Sequence, residues 1–254
     1  MGRGMFKAIV SDAKLLRNIL AAVSTLVEEV DLNMNEEGIS LKALDPSHVA
    51  MVSLNWPKQS FEKYECDKLT KIRINLSNME KLLKKAKSDE NVEIDYDETS
   101  RKLTMILKGK ITKKFVVPTL EAGEEEAPSP KLTFNAKVKI LSSSLKEMID
   151  DAEAIADNVT LEATQEKFIV NATSELSNAT FEVEKGSEAL LELEVKEPSK
   201  ATFNLNFLAE MVKAGASTSE IATLEFSTNM PIKLEFNLIQ ANLVYYLAPR
   251  IETT

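Results

Sequence analysis

The sequence predicts an α+β protein built from two similar domains, each with antiparallel sheets and two helices. Helical apolar spacing recurs along the chain at intervals of about 60 to 65 residues, which indicates an internal repeat. After each helical segment come two alternating apolar and polar stretches joined by a polar turn, the pattern of a β-hairpin with one buried face. A proline-rich acidic stretch near the midpoint divides the repeats into two pairs.

The predicted helices carry apolar side chains at i, i+3/i+4 and i+7, so that one face of each is buried. In the first helix, Leu16, Ile19 and Val23 belong to this stripe. Each segment begins at a Ser, Asp or Asn, whose side chain can cap the first amides of a helix. The predicted helices cover residues 11–27, 77–87, 142–156 and 204–214.

Each helix is followed by two predicted strands. The first strands cover residues 30–34, 92–96, 159–163 and 222–226, and the second strands cover residues 39–43, 103–107, 168–172 and 232–236. Repeated units of a helix and a hairpin, with further strands before the next helix, are typical of an α+β protein with antiparallel sheets.

The midpoint stretch is predicted to be an exposed, extended connector, because residues 118–130 are rich in proline and glutamate and lack periodicity. We therefore expect an N-terminal domain at residues 1–117, an interdomain linker at 118–132 and a C-terminal domain at 133–254. Such symmetry is more typical of a scaffold of equivalent units than of an enzyme with one active site.

Composition excludes several classes of protein. No apolar run reaches the roughly 18 residues of a membrane helix, and residues 1–6 lack the layout of a signal peptide. We therefore expect no membrane partner and a cytoplasmic location beside the nucleoid, or a nuclear one if the source is eukaryotic. Cys66 is the only cysteine, which excludes an intrachain disulfide and a thiolate metal cluster.

Positive charge is concentrated on the predicted helices although the net charge is −9. Lys81, Lys84 and Lys85 share one face of the second helix. If the repeats are equivalent in space, such cations converge on a surface suited to a phosphate backbone. The alternative is that these lysines only solvate the exposed face of a helix. The third helix differs, because Glu147, Asp150, Asp151 and Glu153 surround its single Lys146.

Two stretches resemble signatures of the sliding clamp family, proliferating cell nuclear antigen (PCNA). They are residues 44–49, Leu-Asp-Pro-Ser-His-Val, and residues 245–252, Tyr-Tyr-Leu-Ala-Pro-Arg-Ile-Glu. Residues 5–6, residues 74–84 and the position of the connector also fit, so the resemblance covers nearly the whole chain. The Leu-Asp-Pro-Ser form and the short tail are similar to archaeal members. Residues 1–4 precede the usual start of the family.

The resemblance implies the DNA clamp fold, in which three subunits join head to tail into a closed ring. Helices line the hole, duplex DNA passes through it without sequence specificity, and the ring gives processivity to DNA polymerase. A clamp loader opens the ring, and a flap nuclease and DNA ligase are tethered through short interaction peptides. The resemblance implies no catalytic activity and no cofactor. The chain is either a homotrimer subunit or one subunit of a heterotrimer.

The resemblance also implies residues that face DNA on the four helices. They are Lys14, Arg17, Lys81, Lys84, Lys85, Lys87 and Lys213. Glu147, Asp150 and Ala154 stand where the third helix of the family often has basic residues. We expect that helix to attract DNA weakly or to repel it.

Partner peptides of the family dock into an apolar pocket beside the connector. The corresponding residues are Leu44, His48, Val49, Pro128, Pro231, Tyr246, Leu247, Ala248 and Pro249. Glu125 and Glu126 stand where the connector of the family often has larger aliphatic residues, so we expect charge to favour basic partners. His48 is the only histidine, so a role in lining the pocket is favoured over a metal ligand or general base.

Two candidate edge strands of opposite charge are predicted to pair between subunits, because unpaired sheet edges seek partners. The basic edge carries Lys108, Lys110, Lys113 and Lys114, and the acidic edge carries Glu175, Phe181, Glu182 and Glu184. Electrostatics would help to set which edge meets which. The alternative is that both are merely soluble edges.

An enzyme built on the same repeat is the alternative from another functional class. The chain has seven glycines and no Gly-rich phosphate loop, and one histidine leaves no credible Ser-His-Asp or Cys-His set. A carboxylate-bound Mg²⁺ site stays open, because acidic residues are abundant. We expect no enzyme activity and no resident metal.

Overall fold

The computed structural model describes residues 5–123, 127–238 and 241–251, so residues 1–4, Glu125 and Glu126 of the sequence predictions lie outside the described part. The chain forms two compact units. Unit 1 comprises Met1–Pro46, Val52–Ala127 and Leu238–Asn242, and unit 2 comprises Ser47–Met51, Pro128–Asn237 and Leu243–Thr254. Within these described ranges, no helix is long and apolar enough to cross a membrane.

Within the described residues, the first half of the chain contains two α-helices, one 3-10 helix and nine strands. Its elements are β1 (Met5–Val10), α1 (Ala13–Ser24), β2 (Glu29–Asn35), β3 (Gly38–Leu44), β4 (Ala50–Pro57), the 3-10 helix Lys58–Ser60, β5 (Lys63–Cys66), β6 (Thr70–Asn75), α2 (Leu76–Leu83), β7 (Asn91–Asp97), β8 (Lys102–Lys108) and β9 (Lys113–Pro118). One sheet has the order β5-β1-β7-β8-β9, and strands β4-β3-β2-β6 are also neighbours in this order.

The second half repeats this plan. Its elements are β10 (Ala136–Leu141), α3 (Ser142–Glu153), β11 (Asn158–Ala163), β12 (Lys167–Thr173), β13 (Asn178–Glu184), β14 (Leu190–Val195), β15 (Ser199–Asn204), α4 (Leu205–Ala216), β16 (Ile221–Phe226), β17 (Ile232–Leu238) and β18 (Ala241–Leu247). Its neighbouring strands follow the orders β13-β12-β11-β15 and β14-β10-β16-β17-β18.

The predicted fourfold repeat is confirmed. Each helix is followed by an antiparallel hairpin, as in α1-β2-β3 and α3-β11-β12. All eight predicted strands form, because alternating apolar side chains bury one face; in β7, Val92, Ile94 and Tyr96 are buried. The α+β class with antiparallel sheets and two helices in each half is therefore confirmed.

Three of the helices begin at a polar cap. The side chains of Asp12, Asn75 and Asn204 accept hydrogen bonds from the backbone amides of Leu15, Asn78 and Phe207, at 2.9, 2.8 and 3.4 Å respectively. The predicted cap is confirmed at Asn204, whereas α1 and α2 are capped by Asp12 and Asn75 rather than at the predicted starts, Ser11 and Ser77. The cap prediction is wrong for α3. Leu141 precedes its first residue and offers no side-chain acceptor. Ser142 is instead the first helical residue, and its buried Oγ has no hydrogen-bond partner in the described structure.

Helix α2 is shorter than predicted, because it ends at Leu83 rather than at residue 87. The Ala86 amide donates to the Leu83 carbonyl at 2.8 Å, which closes a tight turn after the helix. The guanidinium group of Arg17 then donates to the carbonyl oxygens of Lys84 and Ala86, at 3.3 and 3.5 Å. Arg17 of α1 therefore provides hydrogen-bond donors for carbonyl groups that follow the end of α2.

Helices pack in pairs within each unit, α1 with α2 and α3 with α4. Each pair turns its apolar stripe to the core; Ile19 of α1 and Ile149 of α3 are fully buried. Gly215 of α4 lies against the ring of Phe236, and an added Cβ would come within 2.0 Å of that ring. The polar faces of the helices are left exposed.

Candidate nucleic-acid and protein interfaces

The helix pair of unit 1 presents exposed lysines. Lys14, Lys81 and Lys84 are exposed, and none of them forms an ion pair with any residue of the described ranges. A groove of about 440 Å³ on this surface is lined by Arg17, Ala21, Ser77, Glu80, Lys81 and Lys84. The hydroxyl of Ser24 donates to the carboxylate of Glu80, the one acidic side chain in this lining. The surface is therefore positively charged.

Arg17 has a structural role that the sequence did not indicate. Besides its bonds to the end of α2, its Nη2 donates to Asn18 Oδ1 at 3.2 Å, and the residue is half-buried. Its guanidinium group contributes charge at the edge of the groove but is held by backbone carbonyls. Lys84, Lys85 and Lys87 are exposed in the segment that follows α2 rather than on the helix itself, where Lys84 and Lys85 were predicted to lie.

The helix pair of unit 2 has the opposite charge. On α3, Lys146 forms an ion pair with Asp150 one turn away, so its charge is compensated. Glu147, Asp151 and Glu153 are exposed on the same helix. Lys213 is exposed on α4, with Glu210 three residues before it. Among the predicted DNA-facing residues, only Lys213 therefore lies in unit 2.

Most residues of the predicted partner pocket belong to unit 2. His48 is exposed in the left-handed region, with φ at 59°, and Val49 is 38% exposed. The Ala248 amide donates to the Val49 carbonyl at 2.9 Å, which places this turn beside the C-terminal stretch. Ala248 is exposed.

The other predicted pocket residues differ in exposure. Tyr246, Pro249 and Pro231 are half-buried and Pro128 is exposed, whereas Leu247 is 1% exposed and belongs to the core. Leu44 is half-buried at the end of β3 in unit 1. The sequence reasoning did not single out Met230, which is 41% exposed beside Pro231. The sequence signal that could have indicated Met230 is an apolar residue within a predicted turn.

Both predicted subunit contacts lie at sheet edges. Strand β9 ends the five-stranded order of unit 1, and β13 ends the order β13-β12-β11-β15. Phe115 of β9 and Phe181 of β13 are both half-buried. Lys114 on β9 and Glu184 on β13 are exposed. Each edge thus combines a partly covered aromatic ring with exposed charges of one sign.

Several charges at these edges are already paired within their own unit. Lys113 contacts Glu90 at 2.6 Å, Lys108 contacts Glu93 at 2.7 Å, and Glu182 contacts Lys167 at 2.6 Å. The contact with Lys113 lowers the pKa of the Glu90 carboxyl. In the described part of the chain, ion pairs are absent for Lys110, Lys114, Glu175 and Glu184. These four are the charges available to a partner.

Groups suited to catalysis are dispersed. No set of three or more His, Cys, Asp or Glu side chains within residues 5–123, 127–238 and 241–251 is arranged to hold a metal ion. Burial raises the pKa of the Cys66 thiol, which favours its protonated form. His48 is exposed and belongs to no such set in the described ranges, and its role in lining the pocket stays a prediction.

Comparisons with known proteins agree over the whole length. The family model for the N-terminal domain of proliferating cell nuclear antigen matches residues 5–122, and the model for its C-terminal domain matches residues 129–251. DNA polymerase sliding clamp 1 of Pyrobaculum aerophilum is 35% identical over 95% of this chain and 96% of its own length. The DNA polymerase sliding clamp of Methanococcus vannielii is 33% identical over 98% of this chain and 100% of its own length.

Solved structures show the same fold. PCNA from Thermococcus kodakaraensis superposes with a TM-score of 0.91 at 25% identity, over 96% of this chain and 100% of that one. The corresponding protein of Entamoeba histolytica has a TM-score of 0.91 at 23% identity, over 97% and 99%. The resemblance stated from residues 44–49 and 245–252 is thereby confirmed.

Proposed function

The chain belongs to the proliferating cell nuclear antigen family, and from this membership we propose that it is a DNA polymerase sliding clamp. It forms part of a closed ring that encircles duplex DNA and keeps the polymerase on its template. The observation that carries this proposal is the match of both family domain models to the two halves of one chain. Relatives named as sliding clamps, similar over nearly their whole length, support it.

The exposed lysines of unit 1 are the proposed contacts with DNA. Lys14 and Lys81 on the polar face of the helix pair, and Lys84 directly after α2, form no ion pair within the described ranges. Contacts with phosphate groups do not depend on the DNA sequence. A closed ring needs no strong contact, because it is held on the duplex topologically. Lys85, Lys87 and Lys213 add charge at the margins, while Arg17 contributes less than a free arginine would.

The proposed ring contact joins β9 of one copy to β13 of the next. Both are edge strands whose outer backbone groups lack a strand partner, and a head-to-tail contact of this kind closes into a ring if the rotation permits. Phe115 and Phe181 would be covered on pairing. Lys110 and Lys114 supply unpaired positive charge on one edge, and Glu175 and Glu184 supply negative charge on the other.

Charge reversal at Lys114 tests this contact. Lys114→Glu should shift the ring toward monomer by about tenfold in dissociation constant, measured by light scattering over a dilution series. Adding Glu184→Lys in the same chain should restore opposite charges and most of the ring. Lys102→Glu, on the neighbouring β8, is the matched control. A ring unchanged by Lys114→Glu with Lys113→Glu would contradict the pairing.

The turn at His48 and Val49, with Tyr246, Ala248 and Pro249, is the proposed docking surface for partner peptides. An apolar anchor could contact the exposed side of this surface, and the C-terminal backbone could add hydrogen bonds. DNA polymerase is the first partner; the clamp loader, flap nuclease and DNA ligase are proposed to use the same surface. We further propose that the chain has no catalytic activity of its own.

Two measurements test the function itself. Purified chain should stimulate a family-matched DNA polymerase on primed circular DNA in the presence of clamp loader and ATP, with more product per binding event. A solution mass near three times 28.2 kDa would assign a homotrimer. A monomer that forms a ring only with other clamp subunits would assign a heterotrimer. Failure to stimulate synthesis in any such ring would contradict the function.

A further inference from the structure

The first residues of the connector are held on unit 1. After β9 the chain crosses β6, where the Leu120 amide donates to the Arg73 carbonyl at 2.8 Å and the Arg73 amide donates back to Leu120 at 3.4 Å. These bonds form an isolated antiparallel bridge between Leu120 and β6. The connector therefore starts as a short additional edge on the sheet.

Three residues further on, Gly123 is held through both of its backbone polar groups. Its amide donates to Asp31 Oδ2 at 3.0 Å, and its carbonyl accepts from Lys71 Nζ at 2.6 Å. Asp31 also accepts from Arg73 Nε at 2.7 Å and from Arg73 Nη2 at 3.0 Å. One carboxylate on β2 thus organises two cations on β6 and the backbone of the connector, and charged hydrogen bonds are stronger than neutral ones.

Gly123 approaches these side chains closely. A Cβ at position 123 would lie 2.7 Å from Arg73 Nη2 and 3.2 Å from Asp31 Oδ2. A side chain there would require the Arg73 guanidinium group to shift, because the first distance is shorter than real Cβ contacts. The ion pair and the glycine therefore fit each other.

The second half of the chain provides an internal comparison. The cross-strand position of Asp31 and Arg73 is occupied there by Thr160 and Thr202, whose hydroxyls are 2.9 Å apart. The chain after β18 makes the same kind of bridge, since the Arg250 amide donates to the Thr202 carbonyl at 2.7 Å. The second half therefore repeats the backbone bridge without the ion pair. The ion pair of Asp31 and Arg73 is found only at the bridge where the connector begins.

We propose that Asp31, Lys71 and Arg73 are positioning residues that hold the connector backbone at Gly123 and thereby strengthen the binding of partner peptides. This role rests on the proposed function, in which the connector takes part in binding partner peptides. The three side chains act through the connector backbone and do not touch the partner.

Asp31→Asn is the direct test, since it keeps the shape of the side chain and removes the charge. Hydrogen exchange of the Gly123 amide should become at least about tenfold faster. The dissociation constant of a synthetic polymerase-derived clamp-binding peptide should rise by about threefold to tenfold. Gly123→Ala should reproduce both changes. Asp31→Glu, which restores the charge, should recover part of each.

Glu98→Gln is the matched control, because it removes the exposed ion pair with Lys68 in the same unit. It should alter neither readout. If the exchange rate of the Gly123 amide is unchanged in Asp31→Asn, Asp31 does not hold the connector. If exchange is faster but the peptide affinity is unchanged, the three residues have no positioning role. Wild-type ring that retains DNA but binds no peptide would also overturn that role, while leaving the sliding function intact.

Discussion

The two helix pairs occupy equivalent places in the repeat but carry opposite charge. The pair of unit 1 exposes Lys14 on α1, Lys81 on α2 and Lys84 directly after α2, whereas α3 exposes Glu147 and Asp151 and compensates its own lysine. The buried stripes of both pairs are alike, because apolar spacing specifies how a helix packs on its sheet. The exposed face is under no such constraint, so its charge can differ between repeats and carry the function.

The largest expected effect comes from reversing the basic pair. Lys81→Glu with Lys84→Glu removes two cations from each subunit and adds two anions, so clamp-dependent synthesis on primed DNA should fall by about a hundredfold at roughly 0.15 M salt. Light scattering should show an unchanged ring. Lys58→Glu with Lys102→Glu, exposed lysines away from the helices, should have little effect. Undiminished stimulation would count against DNA contact at α2.

The converse change should make the acidic pair resemble the basic one. Glu147→Lys with Asp151→Lys leaves the Lys146–Asp150 pair in place. Affinity of the ring for duplex DNA should rise by about tenfold, and the salt dependence of log K should steepen by up to about 0.9 for each new phosphate contact. Fluorescence anisotropy across a salt series measures both. An unchanged slope would mean that α3 does not face DNA.

A pH effect distinguishes the sheets of the two units. In unit 1, Glu93 lies between Lys108 and Lys7, at 2.7 and 2.5 Å, and their hydrogen bonds lower its pKa to about 2. In unit 2 the signs are reversed, since Lys233 lies between Glu225 and Glu235. Because the native pKa of Glu93 is below that of the unfolded chain, its stabilisation is present above about pH 4.5 and is lost as pH falls toward 2.

Glu93→Gln should therefore lower the free energy of unfolding by roughly 1 kcal/mol at pH 7, a value discounted because both lysines are partly exposed. The difference from wild type should shrink as the pH is lowered to 3. Urea unfolding at the two pH values measures it. A difference that grew on acidification would have the wrong sign for a depressed carboxyl pKa.

The smallest effect separates charge from structure at Arg17. Arg17→Lys keeps the cation but loses the planar group that donates to the carbonyls of Lys84 and Ala86, so the free energy of unfolding should fall by about 0.5 to 1 kcal/mol. DNA affinity should stay within about twofold, because the charge is retained. Loss of DNA affinity without loss of stability would reverse this assignment.

The local sequence pattern was sufficient to predict the repeated helices and strands, but it was insufficient to predict which charged side chains form ion pairs. The strands and helices followed from apolar periodicity, which depends on neighbouring residues. The end of α2 could not be read in this way, since Arg17 reaches Ala86 from another helix. The compensation of Lys113 by Glu90 likewise depends on how strands are ordered in the sheet.

The candidate surfaces show the same division. The lysines of α1 and α2 could be selected from helical spacing, as could the opposite charges of β9 and β13. The hold of Asp31 on Gly123 joins residues that are 92 positions apart and could not be predicted without the pairing of β2 with β6. The burial of Leu247 depends on packing that its local sequence does not reveal.

Closure around DNA is tested most directly by topology. Rings of this chain, loaded onto a nicked circular duplex by the clamp loader and washed in roughly 0.5 M salt, should stay bound because screening does not open a ring. Linearising the circle should release them within minutes by sliding off the ends. Loss from the circle in salt, or equal retention on circle and linear DNA, would contradict encirclement.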